Sequence, residues 1–137
     1  MKSIILATAG LVVVKKNKLL LAYSKNKNAW YLPGGKIDNG EDSVSCLKRE
    51  VLEELNIDLD MNRLDYYCHI SAPAYGEFSN IIMEQDCFLY ELNEKIEPGN
   101  EIEKVKFFDK KMYQSESAQV AGVLQIFEIL TNDQILF

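Results

Sequence analysis

An acidic segment running from Gly35 to Ile57 constrains this chain more than any other part of its sequence. One glycine, one arginine and four glutamates occur there at fixed spacing: Gly35, Glu41, Arg49, Glu50, Glu53 and Glu54. Because a helix advances by about 100° per residue, the last three glutamates fall within one arc of roughly 100°. An apolar stripe lies beside that arc and consists of Val44, Leu47, Val51 and Leu55. The pattern predicts a helix over residues 43–56 with one packed face and one acidic face.

The clustered acids need a compensating charge. Carboxylates three or four residues apart repel each other by roughly 0.2–0.5 kcal/mol per pair, and near a helix C-terminus they also oppose the helix dipole. Arg49 can pair with Glu53 one turn later, but a single guanidinium cannot neutralise three acids. Hard oxygen ligands on a rigid helix suit Mg²⁺ or Mn²⁺. A solvated acidic face is the alternative, and the glycine-rich loop upstream argues against it.

The spacing resembles the Nudix box, the signature of the Nudix hydrolases: Gly-x5-Glu-x7-Arg-Glu-apolar-x-Glu-Glu-x-Gly-apolar. Asn56 departs from it, because the family has glycine there. The resemblance implies an α/β (α+β) fold, namely an α-β-α sandwich with a mixed β-sheet, in a single domain over residues 1–137. It also implies Mg²⁺ (or Mn²⁺) as cofactor and a set of metal ligands: Glu50, Glu53, Glu54 and the carbonyl oxygen of Gly34.

The loop before the helix and both helix ends carry local signals. Pro33 fixes one φ, and the glycines at positions 34, 35 and 40 allow a sharp turn that presents backbone groups to a ligand. Asp42 is the predicted N-cap. Asn56 takes the predicted C′ position, where left-handed geometry is common and asparagine is the usual substitute for glycine. The resemblance assigns Glu41 to holding this loop against the helix.

Catalytic roles follow from the resemblance. The metal would activate a water molecule, and its proton would pass to a glutamate, either one of the box or Glu101. Glu101 precedes a predicted strand, and a solvated turn acid is the alternative interpretation for it. Arg49 is expected to orient the acids rather than to contact phosphate.

Four residues are candidates for substrate binding: Trp30, Tyr31, Gly35 and Tyr75. The two aromatic residues before the glycines are placed to stack on a planar group, although core packing explains Trp30 equally well. Tyr75 begins a connection, residues 75–78, that is a natural place for substrate selection. His69 and the strand acids Glu84 and Asp86 are expected to be structural or exposed.

Length, charge and cysteine content narrow the class of protein. A chain of 137 residues with 47% hydrophobic content predicts one domain. The net charge of −6 argues against polymeric nucleic acid as a partner, whereas a small phosphorylated substrate is compatible. Three scattered cysteines indicate reduced thiols and a cytoplasmic location. The N-terminal apolar run is too short to span a membrane and fits a signal peptide poorly. The family is often dimeric, so a homodimer is one expectation.

Periodicity predicts strands near residues 4–14, 18–23, 64–72, 81–92 and 105–108, and a second helix near 117–131.

The leading expectation is a nucleoside diphosphate-X hydrolase, above all a nucleoside triphosphate pyrophosphohydrolase that gives a nucleoside monophosphate and pyrophosphate. The alternatives are a catalytically silent nucleotide sensor and a hydrolase of nucleotide sugars or dinucleotides. A prenyl diphosphate isomerase of the same fold is typically larger than this chain.

Overall fold

The computed structural model describes residues 3–76 and 80–137. Residues 77–79, which include Phe78 of the predicted selectivity segment, lie outside this part of the chain. The strands are β1 (Ile4–Val12), β2 (Val14–Lys15), β3 (Lys18–Ser24), β4 (Ala29–Tyr31), β5 (Gly34–Lys36), β6 (Leu64–Pro73), β7 (Ile81–Tyr90) and β8 (Ile102–Phe108). The helices are α1 (Ser43–Leu55), α2 (Lys110–Gln114) and α3 (Ala121–Asn132), with a 3-10 turn at Met61–Arg63.

Two sheets form the centre of the fold. In the mixed sheet the order is β5-β1-β7-β6, and β1 and β7 run parallel while the outer pairs are antiparallel. The antiparallel sheet contains β2, β3 and β4, and β8 pairs with β3. The mixed α/β architecture predicted from the resemblance is therefore confirmed.

Strand alternation divides the core into two apolar layers. Ala9 and Leu11 of β1 point to one face of the mixed sheet, where they pack with α1 residues such as Leu47 and Val51. Val12 points to the other face and packs with α3 residues, among them Phe127. Helices consequently cover both faces of the mixed sheet, and α1 is fixed over β1 and β5.

The ends of α1 are as predicted. Asp42 caps the N-terminus, where its side chain accepts a hydrogen bond from Ser45 N at 2.7 Å. Asn56 adopts left-handed geometry with φ 57° and ψ 40°, and its amide also donates to Glu97 O at 2.5 Å. Asparagine thus performs the backbone role of the missing glycine and adds a tertiary hydrogen bond.

Other boundaries differ from the sequence prediction. The predicted second helix is preceded by the separate α2, and α3 begins only at Ala121. Val120 interrupts the helix because its backbone is extended, with φ −85° and ψ 124°, and its N–H donates to the Tyr113 hydroxyl at 2.8 Å. The three-residue strands β4 and β5 are too short to show periodicity in the sequence. No helix in the described parts of the chain has the length and apolar character needed to cross a bilayer.

Candidate active site

A cavity of about 390 Å³ opens between the two sheets. One end is lined by acids and glycines, including Glu50, Glu54, Glu101 and Gly34. The rest of the lining is largely apolar and aromatic, with side chains from both sheets, from the loops after β4 and β6 and from the segment before α3: Leu6, Leu32, Tyr31, Tyr75, Met83 and Val120. The cavity therefore joins a charged region to an apolar one, a combination that is typical of small-molecule sites.

Glu54 is a buried acid in the wall of this cavity. Its side chain is only 4% exposed, and Oε1 accepts a hydrogen bond from Gly34 N at 3.0 Å. The pKa of Glu54 is raised to about 8, mainly by burial and also by the nearby charges of Glu50, Glu101 and Glu53, against the opposing effect of the Gly34 N–H. A charged Glu54 would thus be stabilised by a cation in the cavity.

Gly34 brings its backbone to Glu54 through geometry that only glycine tolerates. Its φ is +142°, and a Cβ at this position would lie 2.0 Å from the carbonyl oxygen of Ala9. The next residue, Gly35, packs directly against the carboxyl group of Glu50. A Cβ at residue 35 would lie 2.5 Å from Glu50 Cδ. The two glycines allow the backbone of β5 to lie close to the carboxyl groups of Glu50 and Glu54 on α1.

Arg49 connects α1 to the glycine loop. Its guanidinium makes two hydrogen bonds to the Glu41 carboxylate, at 2.9 and 3.0 Å, and Nη1 donates to Glu50 at 2.7 Å. The pKa of Glu41 is lowered to about 2, mainly by its hydrogen bonds from Arg49 and also by one from the Asp38 N–H. The predicted partner Glu53 lies farther away, at 3.8 Å. Arg49 therefore orients Glu50 and holds the loop through Glu41, as the resemblance suggested for Glu41.

Three other acids lie close enough to Glu54 to affect its pKa: Glu50, Glu53 and Glu101. Burial is the main cause that raises the pKa of Glu50, whereas the Glu53 side chain is 45% exposed. Glu101 lies in the turn before β8 and accepts a hydrogen bond from Asn26 Nδ2 at 2.6 Å. Its negative charge raises the pKa of both Glu50 and Glu54, so it faces the same site.

The donor set suits Mg²⁺ or Mn²⁺. Within the described residues no three acidic, histidine or cysteine side chains already converge into a closed metal cage. Mg²⁺ does not require one, since it binds through one or two carboxylates together with water and substrate phosphate oxygens. The acids whose pKa is raised by burial and by neighbouring negative charge, Glu54 and Glu50, are the groups whose charged form a divalent cation would stabilise.

The candidate substrate residues are not all brought together. Tyr31 and Tyr75 line the cavity with their rings edge to face, 6.2 Å apart, and Gly35 lies at the acidic end. Trp30 does not join them: it is 5% exposed, packs against Phe108 in the core, and lies outside the residues that line the cavity. Its indole Nε1 donates a hydrogen bond to Glu116 Oε1 at 3.1 Å.

The face of the mixed sheet opposite the cavity carries a separate polar group. His69 Nδ1 lies 2.8 Å from Asp86 Oδ1, and Nε2 lies 3.0 Å from Glu84 Oε1. These two carboxylates raise the pKa of His69. On the cavity face the sequence reasoning missed Gln85, whose signal was a polar residue between Met83 and Cys87, the apolar positions of β7 on the same face.

The sequence model of the NUDIX domain family matches residues 5–124. The chain belongs to the Nudix family. The mRNA-decapping enzyme subunit 2 of Saccharomyces cerevisiae (strain YJM789) is 31% identical over 119 residues, which is 83% of this chain and 12% of the yeast protein. This Nudix chain thus spans about an eighth of that relative's length.

Two other similarities bear on the chain. The 8-oxo-dGTP diphosphatase of Buchnera aphidicola is 44% identical over 46 residues, covering 33% of this chain and 37% of that protein. The crystal structure of a MutT protein from Methanosarcina mazei Go1 superimposes with a TM-score of 0.78 over 98% of both chains, at 17% identity. The structural likeness establishes that the Nudix fold extends over nearly the whole chain.

Proposed function

We propose that this chain is a divalent-metal-dependent hydrolase of nucleoside diphosphate-X compounds, and that nucleoside triphosphates are its leading substrates. The products would be a nucleoside monophosphate and pyrophosphate. The observation that carries the proposal is the cavity itself, whose lining includes both the buried Glu54–Gly34 contact and the Tyr31–Tyr75 pair.

The acidic end supplies the reaction chemistry. Glu50, Glu53, Glu54 and the carbonyl oxygen of Gly34 would hold the metal. When bound, the metal neutralises diphosphate oxygens and lowers the pKa of a coordinated water molecule. Arg49 keeps Glu50 in place through its 2.7 Å hydrogen bond.

Glu101 is the proposed proton acceptor. It lines the cavity without an arginine partner among the described residues, and Asn26 fixes its carboxylate. A carboxylate held in this way is ready to take the proton of the attacking water. The box glutamates remain the alternative acceptors.

The apolar end supports a single planar base. A cavity of about 390 Å³ falls at the lower end of the roughly 300–1,000 Å³ range of small-molecule sites. Tyr31 and Tyr75 offer aromatic surface to such a base. The net charge of −6 disfavours a long RNA chain, although the similarity to a decapping enzyme makes capped RNA a necessary comparison.

A substrate panel tests the proposal. The chain is assayed with Mg²⁺ or Mn²⁺ against ordinary and oxidised nucleoside triphosphates, nucleotide sugars, dinucleoside polyphosphates, dinucleotide cofactors and a capped RNA oligonucleotide. We expect the highest kcat/KM for a triphosphate, and reaction in ¹⁸O-labelled water locates the attacked phosphorus by mass. Glu128→Gln, on an exposed part of α3, serves as the control for glutamate substitutions in the box.

Two results would overturn the proposal. Hydrolysis of another panel class with higher kcat/KM would replace triphosphates as the leading substrates. Tight binding without hydrolysis of any compound would leave a nucleotide sensor instead of an enzyme. A cytoplasmic location, supported by the three free cysteines, and a homodimer remain predictions.

A further inference from the structure

Gln85 is a buried polar side chain that the proposed chemistry leaves unused. It lies on β7, is 9% exposed, and lines the cavity. Three other buried polar side chains, Thr8, Ser24 and Glu54, each form a hydrogen bond with a backbone group. Gln85 differs from them in its hydrogen bonding.

Among the residues that the structure describes, the Gln85 carboxamide has a protein partner through its oxygen alone. Oε1 accepts a weak contact from Cys87 Sγ at 3.8 Å. Within residues 3–76 and 80–137, the amide nitrogen Nε2 donates no hydrogen bond. Nε2 is not among the fully buried atoms that lack a partner, so it is open to the cavity that Gln85 lines. Nε2 is therefore the part of Gln85 that is available to a molecule in the cavity.

The neighbouring backbone holds this carboxamide in place. A Cβ on Gly10 would lie 2.9 Å from Gln85 Cδ and 3.0 Å from Nε2, and 3.1 Å from Leu32 Cδ1. The absence of a side chain at residue 10 is thus what makes room for the amide against the sheet. The carboxamide therefore lies directly against the backbone of β1 at the cavity.

The strand order places Gln85 two strands away from the glycine strand β5. Thr8 pairs with Gln85, and Gly10 pairs with Gly34, so β1 stands between β7 and the glycine strand β5. Two inter-strand spacings amount to roughly 10 Å. Across this span, Gln85 lines the same cavity as Glu50 and Glu54, so one ligand can contact both the amide and the acids.

We propose that Gln85 determines base specificity. Its Nε2 donates a hydrogen bond to an acceptor on the base edge, a ring nitrogen or an exocyclic oxygen, while the phosphates lie at the acids. This inference rests on the proposed function, because it takes a nucleotide as the ligand. A site built to hydrogen-bond its ligand discriminates strongly against ligands that lack the matching group.

The test compares two substrates and three variants. Gln85→Met keeps the length of the side chain without the amide, and Gln85→Glu replaces the donor with an oxygen. Gln125→Met is the control, since the Gln125 amide donates to the backbone of β6 outside the cavity. The substrates are the preferred nucleoside triphosphate and ribose 5-triphosphate, which has the phosphates but no base.

Both Gln85 variants should lower kcat/KM for the nucleoside triphosphate by about tenfold or more, mainly through KM. Turnover of ribose 5-triphosphate should stay at the parental value, which also shows that the variants fold. The control should match the parent on both substrates. Unchanged kinetics with the nucleoside triphosphate, or an equal loss on both substrates, would overturn the inference.

Binding measurements separate this inference from the proposed hydrolysis. If the parent hydrolyses no nucleotide, calorimetric titration with the four common nucleoside monophosphates decides the point. Binding by the parent that is weakened at least about tenfold by Gln85→Met would support base recognition without catalysis. Equal binding by both proteins, or no binding by the parent, would refute it.

Discussion

Replacing Gly35 with alanine tests whether close backbone approach sets the position of the Glu50 carboxylate. The φ of Gly35 lies outside the left-handed region, so alanine brings no backbone strain there. A Cβ would lie 2.5 Å from Glu50 Cδ and 2.6 and 2.9 Å from its two carboxylate oxygens. The conflict is therefore confined to the end of one flexible side chain.

The size of the effect follows from these distances. Ordinary contact begins at 3.4 Å, so the Glu50 carboxyl must retreat by roughly 1 Å. Moving the side chain off its rotamer costs on the order of 0.5–1.5 kcal/mol, which corresponds to a shift in Tm of about 5 °C or less. Misplacing a catalytic group by about 1 Å can lower the rate 10²-fold. We expect Gly35→Ala to reduce kcat/KM by about 10- to 100-fold while the protein stays folded.

Gly40→Ala is the matched control. Nothing lies within 4 Å of a Cβ at residue 40, but its φ is +80°. Alanine there should cost about 1 kcal/mol of unfolding free energy through backbone strain and leave kcat/KM unchanged. The assays are pyrophosphate release and urea unfolding followed by Trp30 fluorescence. Parental kcat/KM in Gly35→Ala would show that the contact with Glu50 does not set the geometry of the site.

Four further outcomes are expected. Glu53→Gln and Glu54→Gln should each lower turnover by roughly 10²-fold at saturating Mg²⁺ with folding retained; near-normal turnover in either would contradict the metal assignment. Asn56→Gly should lose about 1 kcal/mol of stability with its amide hydrogen bond, and Asn56→Val should lose more because of the left-handed backbone, as thermal melts will show. His69 has a raised folded pKa, so its stabilising effect is complete below the unfolded pKa and is lost as pH rises through the folded value. Urea unfolding is measured at several pH values for the parent and a His69→Gln variant. The difference between their free energies of unfolding should decrease as pH rises, and a difference that stays constant would count against the ion pairs. Trp30→Phe should lower stability and leave KM for the triphosphate unchanged, whereas a raised KM would restore its predicted role in substrate binding.

Local signals in the sequence were sufficient for the acidic helix. The apolar stripe of α1, the cap at Asp42 and the left-handed residue Asn56 depend on neighbours within a few positions, so periodicity and capping rules predict them. The box spacing alone placed three acids on one helix and implied the metal. The position of Glu101 near these acids was also anticipated, because the resemblance assigns an acid to that region.

The partner of Arg49 was not predictable from helix geometry. Helical spacing favoured Glu53, but the guanidinium binds Glu41 and Glu50 more closely. Glu41 precedes α1, and it reaches Arg49 only because the glycine loop folds back along the helix. Pairing across a loop depends on tertiary geometry, whereas spacing rules describe one regular helix.

The composition of the cavity was likewise decided by the tertiary structure. The sequence grouped Trp30 with Tyr31, but the fold places Trp30 in the core and Tyr31 at the cavity. It also brings Gln85 beside Gly10, a contact between residues far apart in the chain. Such contacts depend on the register of β1 against β7, which is set by burial of whole strand faces. The sequence by itself therefore determined the acidic helix of the Nudix box, while the packing of the sheets decided which side chains line the cavity.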